Sequence, residues 1–144
     1  MFNRILVVCY GNICRSPAAE YMLKAALGDK CTVDSAGVGA LVDQGVESTV
    51  AGLLEQRGID ASAHSAKQVT RTMLSQFDLV LVMEQAHIES ITRIAPEARG
   101  KTKLLGSWIG NKEIPDPYKK SHEIYVLADN MIHDAVESWK NYLG

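Results

Sequence analysis

The hydrophobic residues of this chain fall into short runs and into sets spaced three or four residues apart. Residues 5–9 read ILVVC without a polar position, and residues 77–83 form a similar, mostly apolar run. Such runs are typical of parallel strands that are covered on both faces. Residues 31–36 alternate like a strand, and residues 103–105 fit a short edge strand. Four strands are therefore predicted, with the first in the middle of the sheet.

A helical pattern follows each of these strands after a loop, which contains two glycines after the second strand and is longest, at residues 106–118, after the fourth. The first helix is predicted after a loop at residues 10–15, with Ser16 as its N-cap, Pro17 as its first residue and Gly28 at its end. The remaining helices are predicted over residues 46–58, 88–95 and 121–139, the last of them with one apolar stripe.

The alternation of strands and helices indicates an α/β fold. At 144 residues the chain has room for one domain, which we expect to extend over residues 1–144. We expect three layers, with a central four-stranded parallel sheet that is flavodoxin-like, in the order 2-1-3-4, and helices on both faces. Ligands of such sheets bind beyond the carboxyl ends of the strands. Residues 10–15 follow the first strand there, and the Gly-, Pro- and Asp-rich residues 106–118 predict a second functional loop.

Composition and charge exclude several classes of protein. Hydrophobic residues make up 47% and charged residues 22% of the chain, which excludes disorder as the main state. The net charge of -2 comes without a basic block, so nucleic-acid binding is not expected. The longest apolar runs are far shorter than the roughly 20 residues of a membrane span, so membrane insertion is not expected.

The cysteines and histidines indicate the redox compartment and whether a metal site is expected. Three cysteines make an odd number, and the first residues lack the pattern of a signal peptide, so a reducing cytoplasm is expected. We expect Cys31 to be a small core residue. The histidines lack metal-ligand spacing, so no metal site is expected, and His87, His122 and His133 are expected at the surface.

The loop after the first strand combines a thiol with the features of an anion site. Cys9 ends a buried strand, Gly11 allows a tight bend, and the positive end of the following helix points back at the loop. Backbone N–H groups converge there on a tetrahedral dianion, and the Arg15 guanidinium adds a two-pronged donor. The same positive field favours the thiolate of Cys9, a nucleophile facing the bound phosphate. The predicted phosphate-binding residues are Tyr10, Gly11, Asn12, Ile13, Cys14 and Arg15.

An acid for the leaving group is predicted in the second loop. Asp116 lies in the sequence IPDPY, where two prolines stiffen the chain on either side of it. A neutral carboxyl at this place can protonate the oxygen of a departing ester, and Tyr118 can stack on an aromatic leaving group. The alternative is an aspartate that only stabilises a turn.

Several motifs in sequence order resemble the low-molecular-weight protein tyrosine phosphatases. They are CYGNICRSP at 9–17, DSAG at 34–37, His64 with AKQ at 66–68, ME at 83–84 and DPY at 116–118. The chain is most similar to the bacterial branch that works with autophosphorylating tyrosine kinases in capsule and exopolysaccharide export. The resemblance implies that a tyrosine-phosphorylated protein, in particular a bacterial tyrosine autokinase, is the partner. We expect a monomer or a weak homodimer.

The resemblance also implies roles for individual residues. Cys9 would become a phosphocysteine, Arg15 would bind the equatorial phosphate oxygens, and Asp116 would protonate the leaving phenol and then activate water. No metal or organic cofactor is needed for this reaction. The implied supporting residues are Ser16 beside the thiolate, a polar scaffold of Asn12, Ser35 and His64, Tyr118 and Leu41 in the substrate cleft, and Cys14 as a redox partner of the nucleophile.

Three positions depart from the usual pattern of the family. Leu41 lies where many relatives carry Trp or Tyr, Lys119 replaces the second tyrosine of eukaryotic members, and Lys67 replaces an arginine. Two other functions remain open. One is a thioredoxin-coupled arsenate reductase of the same fold, and the other is a module that binds phosphotyrosine or another anion without turnover.

Overall fold

The computed structural model describes residues 2–143 and contains one parallel sheet of four strands. The strand order is β2-β1-β3-β4, and all neighbouring strands are parallel, as the sequence predicted. The strands are β1 (Arg4–Cys9), β2 (Thr32–Gly37), β3 (Leu79–Val82) and β4 (Thr102–Leu104). The third strand is shorter than the apolar run that predicted it.

Within residues 2–143, five α-helices surround the sheet. They are α1 (Arg15–Leu27), α2 (Ser48–Gln56), α3 (Arg71–Ser75), α4 (Gln85–Ile94) and α5 (His122–Leu143). Short 3-10 turns lie at Gly28–Lys30, Pro96–Lys101 and Ser107–Ile109. The five-residue helix α3 was not predicted, because it is too short to show helical spacing. No helix within residues 2–143 combines the length and the apolar character that a membrane crossing requires.

Alternate residues of β1 point into two separate cores. Ile5 and Val7 pack with α1, α2 and α5, whereas Leu6 and Val8 pack with α3 and α4 on the other face. All four side chains are fully buried, which is why β1 lacks the polar positions of a half-exposed strand. The result is the predicted three-layer arrangement, and it fixes the carboxyl end of β1 in the middle of the sheet.

The first helix begins earlier than predicted. Its first residue is Arg15, and Cys14 takes the N-cap position without a side-chain capping bond. Ser16 is therefore not the N-cap. Its hydroxyl is buried and bonds with Cys9 and Asn12 instead, so the loop uses the group that was expected to cap the helix.

One further expectation about a single residue is wrong, and another is confirmed only in part, since Cys31 packs against the core without being fully buried. His87 is buried, because its Nδ1 accepts the backbone N–H of Glu84 and closes the first turn of α4. Cys31 is only partly buried, with its thiol donating to the carbonyl of Phe2 at 3.3 Å. His122 is exposed as expected, and His133 is partly exposed.

Gly37, the last residue of β2, lets that strand lie close to the loop after β1. It pairs with Cys9 in the sheet, and a Cβ atom built on it would lie 2.4 Å from the carbonyl oxygen of Tyr10. Both partners in this contact are backbone groups, so neither can move aside without a cost in free energy. Any larger residue must therefore push the strand away from the loop.

We predict that Gly37→Ala lowers the free energy of unfolding by about 1–3 kcal/mol, because the new methyl group overpacks this contact. Gly52→Ala is the matched control: Gly52 lies inside α2 with open space around it, and alanine there should add about 0.5–1 kcal/mol. Urea unfolding of both variants measures the difference. Equal stability of the two variants would contradict the close approach.

Candidate active site

The loop after β1, which we call the Cys9 loop (residues 9–15), forms the floor of a cleft at the carboxyl end of the sheet. The cleft has a volume of about 140 Å³. It brings together the predicted nucleophile, guanidinium and acid with two predicted cleft residues. Its lining consists of Cys9, Tyr10, Gly11, Ile13, Cys14, Arg15, Leu41, Asp116 and Tyr118.

The sulfur of Cys9 lies among hydrogen-bond donors at the start of α1. The backbone N–H of Asn12 donates to Sγ at 3.3 Å, and the Oγ atom of Ser16 lies 2.9 Å from Sγ. Since the Ser16 oxygen already accepts a bond from the Asn12 amide, its own hydrogen is free to point at the sulfur. Two donors and a helix N-terminus stabilise a negatively charged sulfur at this place.

Asn12 connects the Cys9 loop to three other segments of the chain. It is fully buried and has a left-handed backbone with φ of 61°. Its side-chain Nδ2 donates to Ser16 at 2.7 Å and to Ser35 at 3.0 Å, and its Oδ1 accepts the backbone N–H of Lys67 at 3.0 Å. Its carbonyl oxygen lies 2.7 Å from Nε2 of His64. The predicted scaffold residues Ser35 and His64 thus both contact Asn12.

A carboxylate that was not predicted from the sequence, that of Glu20, completes this scaffold. Glu20 is 3% exposed, and its side chain accepts a bond from Ser35 Oγ at 2.5 Å and from Lys24 Nζ at 2.6 Å. The bonds therefore run from the surface of α1 through Glu20, Ser35 and Asn12 to Ser16 beside the sulfur. One signal was present in the sequence: Ser16 and Glu20 are four residues apart, on one face of a helix whose neighbouring positions are apolar.

Arg15 is fixed by a second carboxylate that was not singled out. Its side chain is 2% exposed, and Nη1 donates to Glu84 Oε2 at 2.5 Å and to the carbonyl of Ile114 at 2.9 Å. The other terminal nitrogen, Nη2, lies 3.8 Å from the carboxylate of Asp116. Because Glu84 lies two residues beyond the end of β3, the strand next to β1 places this carboxylate beside the guanidinium.

The loop that carries Asp116 is attached to the core at Ile114. The N–H of Ile114 donates to the carbonyl of Met83 at 3.0 Å, and Ile114 is fully buried. Two residues later, Asp116 is about half exposed and accepts the N–H of Tyr118 at 3.1 Å. This bond stabilises a turn, which is the role that the alternative interpretation gives to Asp116. The carboxylate also lines the cleft beside Arg15.

Cys14 lies within the wall of the cleft as a buried thiol. Burial raises the pKa of Cys14 to about 12, helped by the negative charges of Glu47, Cys9 and Asp116 and opposed by Arg15. The thiol is therefore protonated at neutral pH. The environment of Cys14 differs from that of Cys9, whose sulfur lies within hydrogen-bond distance of the Asn12 N–H and the Ser16 hydroxyl.

Two of the departures from the family pattern have clear places in the structure. Lys67 pairs with both oxygens of Asp34 at 2.6–2.7 Å, while its backbone supports Asn12. Leu41 packs beside Gly11 on the cleft wall. Within the part of the chain that the structure describes, no cluster of three or more His, Cys, Asp and Glu residues is arranged to hold a metal ion.

Comparison with known proteins identifies the family. Residues 4–144 match the family described as low molecular weight phosphotyrosine protein phosphatase, and the chain belongs to this family. The probable low molecular weight protein-tyrosine-phosphatase AmsI of Erwinia amylovora is 44% identical over 144 residues, covering 100% of this chain and 99% of that protein. The low molecular weight protein-tyrosine-phosphatase Wzb of Escherichia coli K12 is 42% identical, covering 100% and 97%.

Solved structures agree with this assignment. Vibrio vulnificus Wzb in complex with benzylphosphonate has a TM-score of 0.96 and 44% identity, covering 99% of both chains. The YwlE arginine phosphatase from Geobacillus stearothermophilus has a TM-score of 0.92 and 30% identity, covering 98% of this chain and 92% of that one. The resemblance of the sequence to bacterial members of the family is thereby confirmed.

We predict that Glu20→Ala lowers the free energy of unfolding by about 1–3 kcal/mol and also lowers kcat, since the buried hydroxyl of Ser35 loses its acceptor. Lys24→Ala removes the other, more exposed partner of Glu20 and should change stability by less than about 1 kcal/mol. Urea unfolding and turnover of an aryl phosphate measure both effects. A larger effect of the Lys24 variant would contradict the scaffold described above.

We also predict that iodoacetamide modifies Cys14 very slowly at pH 7, because only the thiolate reacts and its pKa is about 12. The rate should rise about tenfold per pH unit between pH 7 and 10 while the fold persists. Peptide mass spectrometry reads each cysteine separately, with the urea-unfolded chain as the control. A Cys14 rate at pH 7 equal to that of the unfolded chain would contradict the shift.

Proposed function

We propose that this protein hydrolyses phosphotyrosine in proteins through a phosphocysteine intermediate. One observation carries the proposal: Cys9, Arg15 and Asp116 line a single cleft, and the sulfur lies among donors at a helix N-terminus. Membership of the phosphatase family supports the same reaction. The substrate is a tyrosine-phosphorylated protein, in particular a bacterial tyrosine autokinase or its targets in polysaccharide export.

In the first step the Cys9 thiolate attacks phosphorus and forms an S–P bond. The bond from phosphorus to the phenolic oxygen breaks, and the neutral carboxyl of Asp116 gives its proton to that oxygen, so that tyrosine leaves uncharged. In the second step the Asp116 carboxylate takes a proton from water while the water oxygen attacks phosphorus. The S–P bond breaks, inorganic phosphate leaves, and the thiolate is restored.

The Cys9 loop stabilises the charge that spreads over the phosphoryl oxygens during both steps. Its backbone N–H groups and the Arg15 guanidinium bind the equatorial oxygens. Arg15 needs little reorganisation for this role, since Glu84 and Ile114 already fix one of its terminal nitrogens. Asn12 and Ser35 hold the loop in its left-handed turn, and Ser16 donates to the sulfur when it leaves phosphorus.

The cleft favours an aryl ester over an alkyl ester. The nucleophile is 2% exposed and lies below walls that include Leu41 and Tyr118, so a substrate must reach down to it. A phosphotyrosine side chain has the length and the flat ring for this contact, whereas phosphoserine is shorter and has no ring. Lys119, whose Nζ lies 5.4 Å from the centre of the Tyr118 ring, adds a positive charge at the rim that suits acidic peptides.

Three finer points belong to the same proposal. The protein acts in the cytoplasm as a monomer or a weak homodimer, where its three cysteines stay free. Cys14 serves as the partner that traps an oxidised Cys9 as a disulfide. The raised pKa of Cys14 implies that this disulfide forms slowly at neutral pH and faster as the pH rises.

The central test compares the wild type with Cys9→Ser and Asp116→Asn in the presence of a metal chelator. Cys9→Ser should lower kcat at least about 1000-fold, because it removes the nucleophile. Asp116→Asn should lower kcat by about 10²–10³-fold for substrates with poor leaving groups and less for good ones. Glu123→Gln, an exposed acid at the start of α5, is the control and should leave kcat unchanged.

Substrate preference is measured with phosphotyrosine, phosphoserine and phosphoarginine peptides, and arsenate reduction is assayed in parallel with thioredoxin. Hydrolysis of the phosphotyrosine peptide alone supports the proposal. Faster hydrolysis of the phosphoarginine peptide, or reduction of arsenate, would contradict the proposed substrate class. Either result would still be consistent with an anion site at the Cys9 loop. Full activity of the Cys9 variant would overturn the thiolate mechanism, and binding without turnover by the wild type would favour a recognition module.

A further inference from the structure

The start of α4 is attached to both sides of the catalytic cleft. Glu84, which directly precedes this helix, bonds to Arg15 of the Cys9 loop through its carboxylate. The N–H of Gln85, the first residue of the helix, donates to Oε2 of Glu113 at 2.7 Å, in the loop that carries Asp116. The conformation of this helix terminus therefore bears on the guanidinium and on the acid loop together.

His87, in the first turn of α4, contacts both the backbone and the side chain of Glu84. Its Nδ1 accepts the N–H of Glu84 at 3.2 Å, and its own backbone N–H donates to the Glu84 carbonyl at 3.0 Å. The other ring nitrogen, Nε2, lies 3.9 Å from Oε2 of Glu84, the same oxygen that Arg15 contacts. The imidazole therefore lies directly beside the ion pair that fixes the guanidinium.

The bond to Glu84 defines the protonation state of the His87 ring. Nδ1 accepts a hydrogen bond only when it carries no proton, so the proton lies on Nε2. Burial lowers the pKa of His87, and the positive charge of Arg15 lowers it further. The carboxylates of Glu84, Asp116 and Glu113 act in the opposite direction without offsetting these two causes. A neutral ring thus presents an N–H group near the Glu84 carboxylate and adds no second cation beside Arg15.

The Glu84 carboxylate needs this support because it is only partly buried. Its side chain is 33% exposed, whereas that of Arg15 is 2% exposed. A carboxylate that water reaches can leave its partner at little cost in free energy. The guanidinium would then keep its bond to the Ile114 carbonyl, and Asp116, 3.8 Å from Nη2, would compete for it. Pairing with Asp116 would occupy the donors that a phosphoryl group requires, and the bond from the Glu84 backbone to His87 opposes this change.

We propose that His87 is a positioning residue, which acts through Glu84 to hold the Arg15 guanidinium in the orientation that binds the phosphoryl oxygens. His87 is 5% exposed and does not line the cleft, so its effect on the substrate is indirect. The inference rests on the proposed function, because it assigns His87 a role in that reaction.

The first test compares two substitutions of His87 by the turnover of an aryl phosphate. His87→Leu fills the buried site but removes the acceptor, and it should lower kcat/KM about 5–20-fold through misplacement of Arg15. His87→Gln should stay within about threefold of the wild type, because glutamine at the third position of a helix can accept the N–H of the N-cap residue. His133→Leu, the same change at a partly exposed histidine of α5, is the control and should leave kcat/KM unchanged.

The second test asks whether His87 acts through Glu84. Glu84→Ala removes the carboxylate and should itself lower kcat/KM. In that background His87→Leu should lower kcat/KM by less than about a further twofold, because the side chain that His87 positions is already absent. Urea unfolding of the wild type, both single variants and the double variant measures any loss of stability separately.

Two further measurements do not depend on turnover. Inorganic phosphate, titrated by NMR, binds the same guanidinium, so His87→Leu should raise its dissociation constant about 3–10-fold and His87→Gln should not. Nitrogen NMR of the labelled imidazole in the wild type should show Nδ1 without a proton and Nε2 with one at pH 7. This last readout still decides if His87→Leu does not fold. If the wild type shows no turnover while both measurements give these results, the proposed function fails and the positioning of Arg15 is upheld.

Four results would overturn the inference. They are an unchanged kcat/KM in folded His87→Leu, an equal loss in His87→Gln, an equal fold-loss from His87→Leu with and without the Glu84 carboxylate, and a proton on Nδ1 in the wild type. The third result would show that His87 affects activity by a route other than Glu84. The fourth would show that the Glu84 N–H does not bond to the ring.

Discussion

The left-handed turn at Asn12 is the constraint on which the rest of the site depends. A residue with a Cβ atom rarely adopts a φ of 61°, and here every hydrogen-bonding group of the side chain is engaged to hold it. The turn directs the Asn12 N–H toward the sulfur of Cys9 and places Ser16 beside it. Without this conformation the loop would keep its residues but lose the convergence of its donors on one anion.

Two carboxylates, the buried Glu20 and the partly exposed Glu84, extend this constraint to the rest of the fold. Glu20 fixes Ser35 from α1, and Glu84 fixes Arg15 from the end of β3. Each charge is compensated by a partner, so the polar groups near the cleft remain satisfied although they lie beside a large apolar core. The sheet also positions the site. Strand β1 places Cys9 in the middle of the sheet, and Gly37 allows the neighbouring strand β2 to lie close to the Cys9 loop.

The sequence was sufficient for the features that depend on local pattern. The ILVVC run predicted β1 and its central place. The spacing of Cys9 and Arg15 around a glycine predicted a loop whose residues, except the fully buried Asn12, line one cleft. It was insufficient where a side chain bonds across the fold. Ser16 was expected to cap a helix, because the sequence pattern does not show that its hydroxyl bonds with Cys9 and Asn12. His87 was expected at the surface, because its bond to the backbone of Glu84 has no counterpart in the spacing of hydrophobic residues.

The proposed reaction depends on a covalent bond between phosphorus and the sulfur of Cys9. Rapid acid quench of the Asp116→Asn variant during turnover of an aryl phosphate, followed by peptide mass spectrometry, measures where the phosphoryl group resides. The variant should accumulate the intermediate, because water attack then lacks its base. We expect one phosphoryl group on the peptide that contains Cys9 and none in the Cys9→Ala, Asp116→Asn double variant, which has no nucleophile at position 9. A phosphoryl group on another residue, or burst-phase turnover without any protein-bound phosphate, would contradict the account.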